Sequence, residues 1–445
     1  MINKKISFAL LVLSALGLSA CGVGQTGGES ITPASSNDST TSSPAATGPE
    51  LTLWCTALDD AFTKQMIIDF KAANPIYANY NIHVIANIAE NETQGKLHKD
   101  TAAAADVICM VDDNIRAAVN AKDLLAVDDA DKTAIIASDG QEAVDAGSIG
   151  GTLYGYPYRA DNAPLLIYNS SMITVDQTQT MEGLFAAAKT KKSSVALNIG
   201  DGWYNGFTLW AGGGDFKLDA DNNIACNFAH VAGCVDSATA AYNLYGNNRS
   251  AWKVTSTDGD IQAGFADGSI CAAFLWNNLA AIRAGMTDSE FGTADNIKVT
   301  GWPTLHVKGT DVANTFFMGY KHYVIKSAIN ETVIPAAKAF CKFASSEAEQ
   351  DKRVADADLK YGPSNLASQA KTDAKALEWS SVIQAAKTAG HTRAQALCTN
   401  SSFWDPMGSF GTLIKAQTNW GDFGTCQRAI LNIVSTNGWS NVETL

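Results

Sequence analysis

The sequence predicts an α/β protein of two lobes. Three observations carry this: about 395 residues remain once an N-terminal leader and a polar stretch are set aside, more than one average core holds; short apolar runs alternate with helical runs, which argues for mainly parallel, covered sheets; and a tyrosine- and proline-rich stretch, Gly150 to Asn169, interrupts the alternation. In that stretch Tyr154, Tyr156 and Tyr158 alternate, so an extended chain sends them to one face, and Leu165 to Tyr168 then reads as a buried strand. Asp161 and Asn162 fall where the two strands meet. The stretch is expected to be a crossing between the lobes with ligand beside it.

Lys4 and Lys5 precede an apolar run from Ile6 to Leu18, which is shorter than the ~20 residues of a membrane-spanning helix. Residues 1–20 therefore read as an export signal. The tetrapeptide Leu18-Ser-Ala-Cys21 resembles the lipobox of bacterial lipoproteins, which implies cleavage before Cys21 and lipid on its sulfur. Residues 21–49 are almost entirely Gly, Ser, Thr, Ala, Pro, Asn and Gln, too poor in apolar side chains to offset the entropy of ordering. They form a tether with a reach on the order of 30 Å.

The formal charge is −13, and −15 once the two leader lysines are removed, which argues against nucleic acid or an anionic lipid surface as partner. Nine cysteines include Cys21. The remaining eight are an even number in a compartment that permits disulfides, and the pairs Cys226 with Cys234 and Cys398 with Cys426 are expected as bridges. Cys55, Cys109 and Cys271 sit in apolar runs and read as small buried hydrophobes.

Leu51 to Cys55 is expected as the first strand, with Asp59 and Asp60 as caps of a helix carrying Phe62, Met66, Ile67 and Phe70 until Asn74-Pro75 ends it. Ile82 to Ile85 and Asp106 to Val111 read as the next strands. In open α/β sheets ligands sit beyond the carboxyl ends of strands, which singles out Trp54, Asp59, Met110 and Asp113. After the crossing, Ser194 to Ile199 is a strand followed by a dense aromatic group that includes Trp203 and Tyr204, then by Gly212-Gly-Gly214, read as a tight turn. Asp219 to Asn223 lacks the glycine and the glutamate of a calcium loop and also reads as a turn. The strand from Gly268 ends at Trp276, with Asn277 beyond it, and Phe316 to Ile325 returns to the first lobe.

From about residue 50 to the end, the order of segments resembles the extracytoplasmic solute-binding proteins of ABC importers, in the branch that includes maltodextrin-binding proteins. The resemblance is carried by Leu51 to Trp54, Ala105-Asp-Val-Ile108, Leu153-Tyr-Gly-Tyr-Pro157, Leu166-Ile-Tyr-Asn169, Ala211 to Phe216, Phe265 to Ser269 and on to Trp276, and Phe403-Trp404. It implies a two-lobed periplasmic-binding-protein-like fold with three interlobe crossings, of type II, that closes like a hinged trap. Lobe 1 would be 50–160 with 310–358, and lobe 2 would be 161–309 with 359–445. By position it adds Tyr158, Asn162, Phe403 and Trp404 to the expected contacts, with Asp161 as a neighbour and Met110 standing where that branch has a ring.

Rings that stack on the C–H faces of a sugar, with Asp, Asn and Arg for its hydroxyls, are the chemistry such a cleft needs. No Gly-x-Ser-x-Gly, His-Glu-x-x-His or Cys-x-x-Cys motif occurs, so catalysis, metal and cofactor are not expected. The expected function is a lipid-anchored, monomeric receptor on the outer face of the membrane that hands a sugar or oligosaccharide to permease subunits. The alternatives are a receptor for another solute such as a polyamine, and a surface glycan-capture or adhesion lipoprotein.

Overall fold

The computed structural model describes residues 48–219, 223–286, 290–416 and 423–445. The signal, Cys21 and nearly all of the tether lie outside the described residues, as do Trp420 and the centre of the Asp219 to Asn223 turn. No helix among the described residues is long and apolar enough to cross a membrane.

Two sheets organise the chain. In the first, Glu50–Trp54 lies between Asn81–Ile85 and Val107–Val111, parallel to both, with Leu51 opposite Ile82 and Leu53 opposite Val107. Phe316–Ile325 joins antiparallel on the other side of Val107–Val111 and is also antiparallel to Gly155–Asn162. Strand periodicity explains the two cores this sheet separates. Leu51, Leu53, Val107 and Cys109 face one core with Phe70 and Phe340, whereas Trp54, Ile108 and Met110 face the other with Leu97 and Ile115. The second sheet runs 252–253, 194–196, 270–275, 165–169, 297–300, with Leu165–Asn169 antiparallel to both of its neighbours.

Gly155–Asn162 belongs to the first sheet and Leu165–Asn169 to the second, so the chain passes between them across Ala163-Pro164. It returns between Ile297–Thr300 and Phe316–Ile325, where a small hairpin, Leu305–Val307 with Thr310–Val312, is inserted. Later Ala160 N–H donates to the Gly362 carbonyl at 2.9 Å. Thr392–Ala394 then lies parallel to Phe316–Met318 at the edge of the first sheet. These approaches bring side chains of both sheets together along one seam.

Asp60–Ala73 is helical because Thr63, Met66, Ile67 and Phe70 recur on one face and are all buried, and it ends before Pro75. Its cap differs from expectation. Asp59 makes no capping hydrogen bond, being buried against Thr56 instead, whose hydroxyl donates to it at 2.5 Å.

The three glycines 212–214 do more than turn. Gly213 has φ +84°, a conformation that favours glycine, and Gly212 packs on Gly233 of the helix Ala232–Asn248, so closely that a methyl on Gly212 would stand 1.9 Å from the Gly233 carbonyl oxygen. Gly212→Ala is expected to lower stability by about 1–3 kcal/mol, read from urea unfolding.

The expected disulfides are not formed: the eight cysteines of the described residues are buried thiols. Cys226 and Cys234 pack as hydrophobes in the core of the second sheet, where burial pushes the Cys234 thiol up to about 12. Cys398 has Asp113, Asp112 and Arg116 for charged neighbours, whereas the Cys426 sulfur donates to the Val235 carbonyl at 3.6 Å.

Candidate functional site

The seam is lined by two polar networks, each drawing on several distant segments. The first begins at Glu90, in a 3-10 turn after the Asn81–Ile85 strand. Its carboxylate pairs with the Lys321 ammonium, from the middle of Phe316–Ile325, and accepts the Tyr158 hydroxyl at 3.0 Å. All three are buried. Burial raises the Glu90 carboxyl, but the Lys321 and Arg159 charges outweigh it and hold it below the usual range. Asp59 is pushed up, by burial and then by the Glu90 charge.

Alongside, Arg159 Nε donates to Asp161 Oδ1 at 2.8 Å, with side chains 2% and 0% exposed, and the Arg159 guanidinium lies 3.3 Å from the centre of the Tyr361 ring. The other Asp161 oxygen accepts from Gly362 N–H at 2.9 Å and from the Asn277 amide at 3.3 Å. Asp161 thus ties the first sheet, the 362 segment and the end of the Ile270–Leu275 strand together.

The second network starts from the pair Asp112-Asp113 at the start of the helix Asp112–Asn120. Asp112 is buried and accepts from the Gln395 amide at 2.6 Å and Tyr320 N–H at 2.8 Å. Gln395 accepts in turn from the Trp203 indole N–H at 3.1 Å. Asp113, only partly buried, accepts from the Trp404 indole N–H at 2.8 Å. Burial pushes the Asp113 carboxyl up to about 6, against the pull of that indole.

A carboxyl raised in the folded state contributes stability that is present below its ordinary value of 3.8 and is lost as pH rises through about 6. Asp113→Asn should therefore flatten the fall in unfolding free energy across that window, measured by urea titrations at several pH values.

Trp203 and Trp276 are rings with part of their surface open. Trp203 meets Tyr204 edge-on, with centroids 5.0 Å apart at 76°, and Asp201 caps its turn by accepting Trp203 N–H at 2.9 Å. The Trp276 indole donates to Asp258 at 3.0 Å. Asn162, Trp203, Trp276 and Asn277 are partly exposed, as is Asp113.

Other expected contacts are covered. Met110 and Phe403 are 0% exposed, which removes them from direct contact with a ligand. Met110 packs with Leu97 and Ile115, and Phe403 stacks on Phe216 at 4.4 Å. Trp54, Tyr158, Asp161, Tyr204 and Trp404 are buried as well, and of these Asp161, Trp404 and Tyr204 touch the partly exposed Asn277, Asp113 and Trp203. Glu90, Lys321, Arg159, Asp112 and Gln395 were not among the expected residues. A lone lysine inside the ten-residue apolar run Phe316–Ile325 was the available signal, since a charge there demands a buried partner.

Among the described residues no three His, Cys, Asp or Glu side chains converge as a metal site.

The fold matches solved structures of low sequence identity. A maltodextrin binding protein from L. casei, solved without ligand, is 17% identical with TM-score 0.68, the match covering 87% of this chain and 99% of that one. The maltose-maltodextrin binding protein of Alicyclobacillus acidocaldarius is 16% identical with TM-score 0.66, covering 87% and 100%. A Thermus thermophilus maltotriose binding protein, bound with maltotriose, is 17% identical with TM-score 0.65, covering 87% and 99%. No curated protein sequence matches the chain. The two sheets and the seam between them are those of a two-lobed periplasmic-binding-protein fold. Residues 60–386 match the family described as bacterial extracellular solute-binding protein, and this chain belongs to that family.

Proposed function

We propose that the protein is the receptor of an ABC importer and captures a sugar or oligosaccharide in the seam between its lobes. The observation that carries this reading is the partly exposed set itself: the rings of Trp203 and Trp276, the amides of Asn162 and Asn277, and the carboxylate of Asp113. Apolar C–H faces stack on such rings while hydroxyls exchange hydrogen bonds with amides and a carboxylate. The solved structures of the same fold include a maltotriose binding protein and a maltodextrin binding protein, which supports a carbohydrate.

A polyamine is less well served. It needs several carboxylates to spare, yet Asp161 is paired with Arg159 and Glu90 with Lys321, which leaves Asp113 as the carboxylate of the partly exposed set. The role assigned is capture and delivery to permease subunits by a monomer, with no chemistry performed on the solute.

The lobes are taken as 50–160 with 310–358, and 161–309 with 359–445. The anchor is taken as lipid on Cys21, holding the protein at the outer face of the membrane through the 21–49 tether. Cys21→Ser should release the protein from the membrane fraction, read by fractionation and by the loss of lipid mass.

Trp203→Ala should weaken sugar affinity by about 1–2 kcal/mol, roughly tenfold, in calorimetry, with the unfolding midpoint little changed. A large loss of stability at unchanged affinity would make Trp203 a packing residue only.

A further inference from the structure

A groove of about 700 Å³ lies between the helices Met181–Thr190 and Ala232–Asn248 and the hairpin at 305–312, and none of its residues belongs to the seam described above. Its volume is within the range of small-ligand sites. The floor is one face of the helix Ala232–Asn248, where Asp236, Thr239, Asn243 and Asn247 recur at helical spacing, and Asp236 is the only charged residue of that helix. The floor therefore mixes short hydroxyl and amide side chains with the apolar Ala240 and Leu244, and carries none of the long charged ones that usually solvate a surface helix.

One wall is Glu182, in the first turn of Met181–Thr190. The other is the hairpin Leu305–Val312, whose two-residue turn, Lys308-Gly309, has φ +48° and +86°. Lys308 is held over the floor by its ion pair with Asp236 at 2.9 Å, and His306 is paired with Asp311 at 2.8 Å. Glu182 Oε1 accepts His306 N–H at 3.3 Å. Its Oε2 is buried and has no protein partner among the described residues. Glu182 lines the groove, and a buried carboxylate oxygen without a partner asks for a donor.

We propose that this groove is a second carbohydrate site, separate from the interlobe seam, that takes a hydroxyl-rich sugar unit. Amides and hydroxyls both donate and accept, as sugar hydroxyls do, so Thr239, Asn243 and Asn247 match a ring of hydroxyls. A cation fits less well, because Lys308 already neutralises Asp236 and Asp311 is occupied by His306. No aromatic ring lines the groove, so the site lacks stacking and is weak on its own.

The test uses the full chain carrying Trp203→Ala with Asn277→Ala, which disables the seam, and saturation-transfer NMR against glucose, galactose and maltotriose at millimolar concentration. Sugar signal should persist in this variant and should fall about tenfold when Asn243→Ala and Asn247→Ala are added. Glu182→Gln, which keeps the shape, should weaken it less. Circular dichroism would verify that each variant is folded. Absence of signal in the seam-disabled protein, or signal that survives the groove substitutions, would overturn the proposal. A response to spermidine abolished by Glu182→Gln, without one to sugars, would do so too and make the groove a cation site. Failure of the seam reading is distinct, since it appears in the parent as affinity insensitive to Trp203→Ala.

Discussion

Asp161→Ala is expected to lower the unfolding free energy by about 3–5 kcal/mol, measured in urea at neutral pH. The carboxylate is 0% exposed and faces Arg159, itself 2% exposed, at 2.8 Å. Truncation leaves a buried guanidinium without its ion-pair partner, with the Tyr361 ring and the Glu90 charge still near it, and leaves Gly362 N–H without its acceptor. The two effects separate by comparison. Asp161→Asn keeps an acceptor for Gly362 and should cost less, while adding Arg159→Met to Asp161→Ala should recover part of the loss by removing the stranded charge. A loss under about 1 kcal/mol for the alanine variant would mean that water reaches the pair. Because Asp161 also holds Asn277, sugar affinity should fall together with stability.

Lys321→Met is the second large effect. Lys321 is the cation against which Glu90 is ionised in the interior, and Asp59 stands close enough to feel the Glu90 charge. Without the ammonium two carboxyls share a buried space, and the expected loss at pH 7 is again about 3–5 kcal/mol. The pH dependence identifies the cause. Glu90 is held below its ordinary value of 4.5 in the folded parent, so its contribution is present above that value and is lost as pH falls through its folded value. The gap between parent and variant should accordingly narrow on acidification. A gap that is constant with pH would assign the effect to packing of the lysine stem.

Much of this architecture was legible in the chain. The alternation of strands and helices, the lone long apolar run Phe316–Ile325, and the break at Ala163-Pro164 each had a local signature, because periodicity and proline act within a few residues. Trp203 and Trp276, singled out from the aromatic pattern, are both partly exposed. What could not be read was which member of a pair points where. Asp112 and Asp113 are adjacent and chemically alike, yet one is buried under Gln395 and the other meets Trp404, a difference set by partners 283 and 291 residues away. Glu90 sits in the polar run Ala89-Glu-Asn-Glu-Thr93, which reads as a solvated turn until Lys321, 231 residues on, is brought against it.

Met110 and Phe403 misled for a related reason. A position just inside a strand end or just before a helix is compatible with either cleft or core, and only the packing of Leu97 and Phe216 over them decides. The cysteines did not pair as expected. Even number and short spacing suggested bridges, but Cys226 and Cys234 are held as hydrophobes in a core that leaves them as thiols.

The seam reading rests on a sugar being held between two lobes that close on it. The direct measurement is small-angle scattering of the full chain with and without maltotriose, paired with calorimetry on the same samples. Saturable binding with a decrease in radius of gyration, both lost in Trp203→Ala with Asn277→Ala, is the predicted result. Binding of spermidine with closure, and no response to maltotriose or to any member of a broader glycan panel, would contradict it.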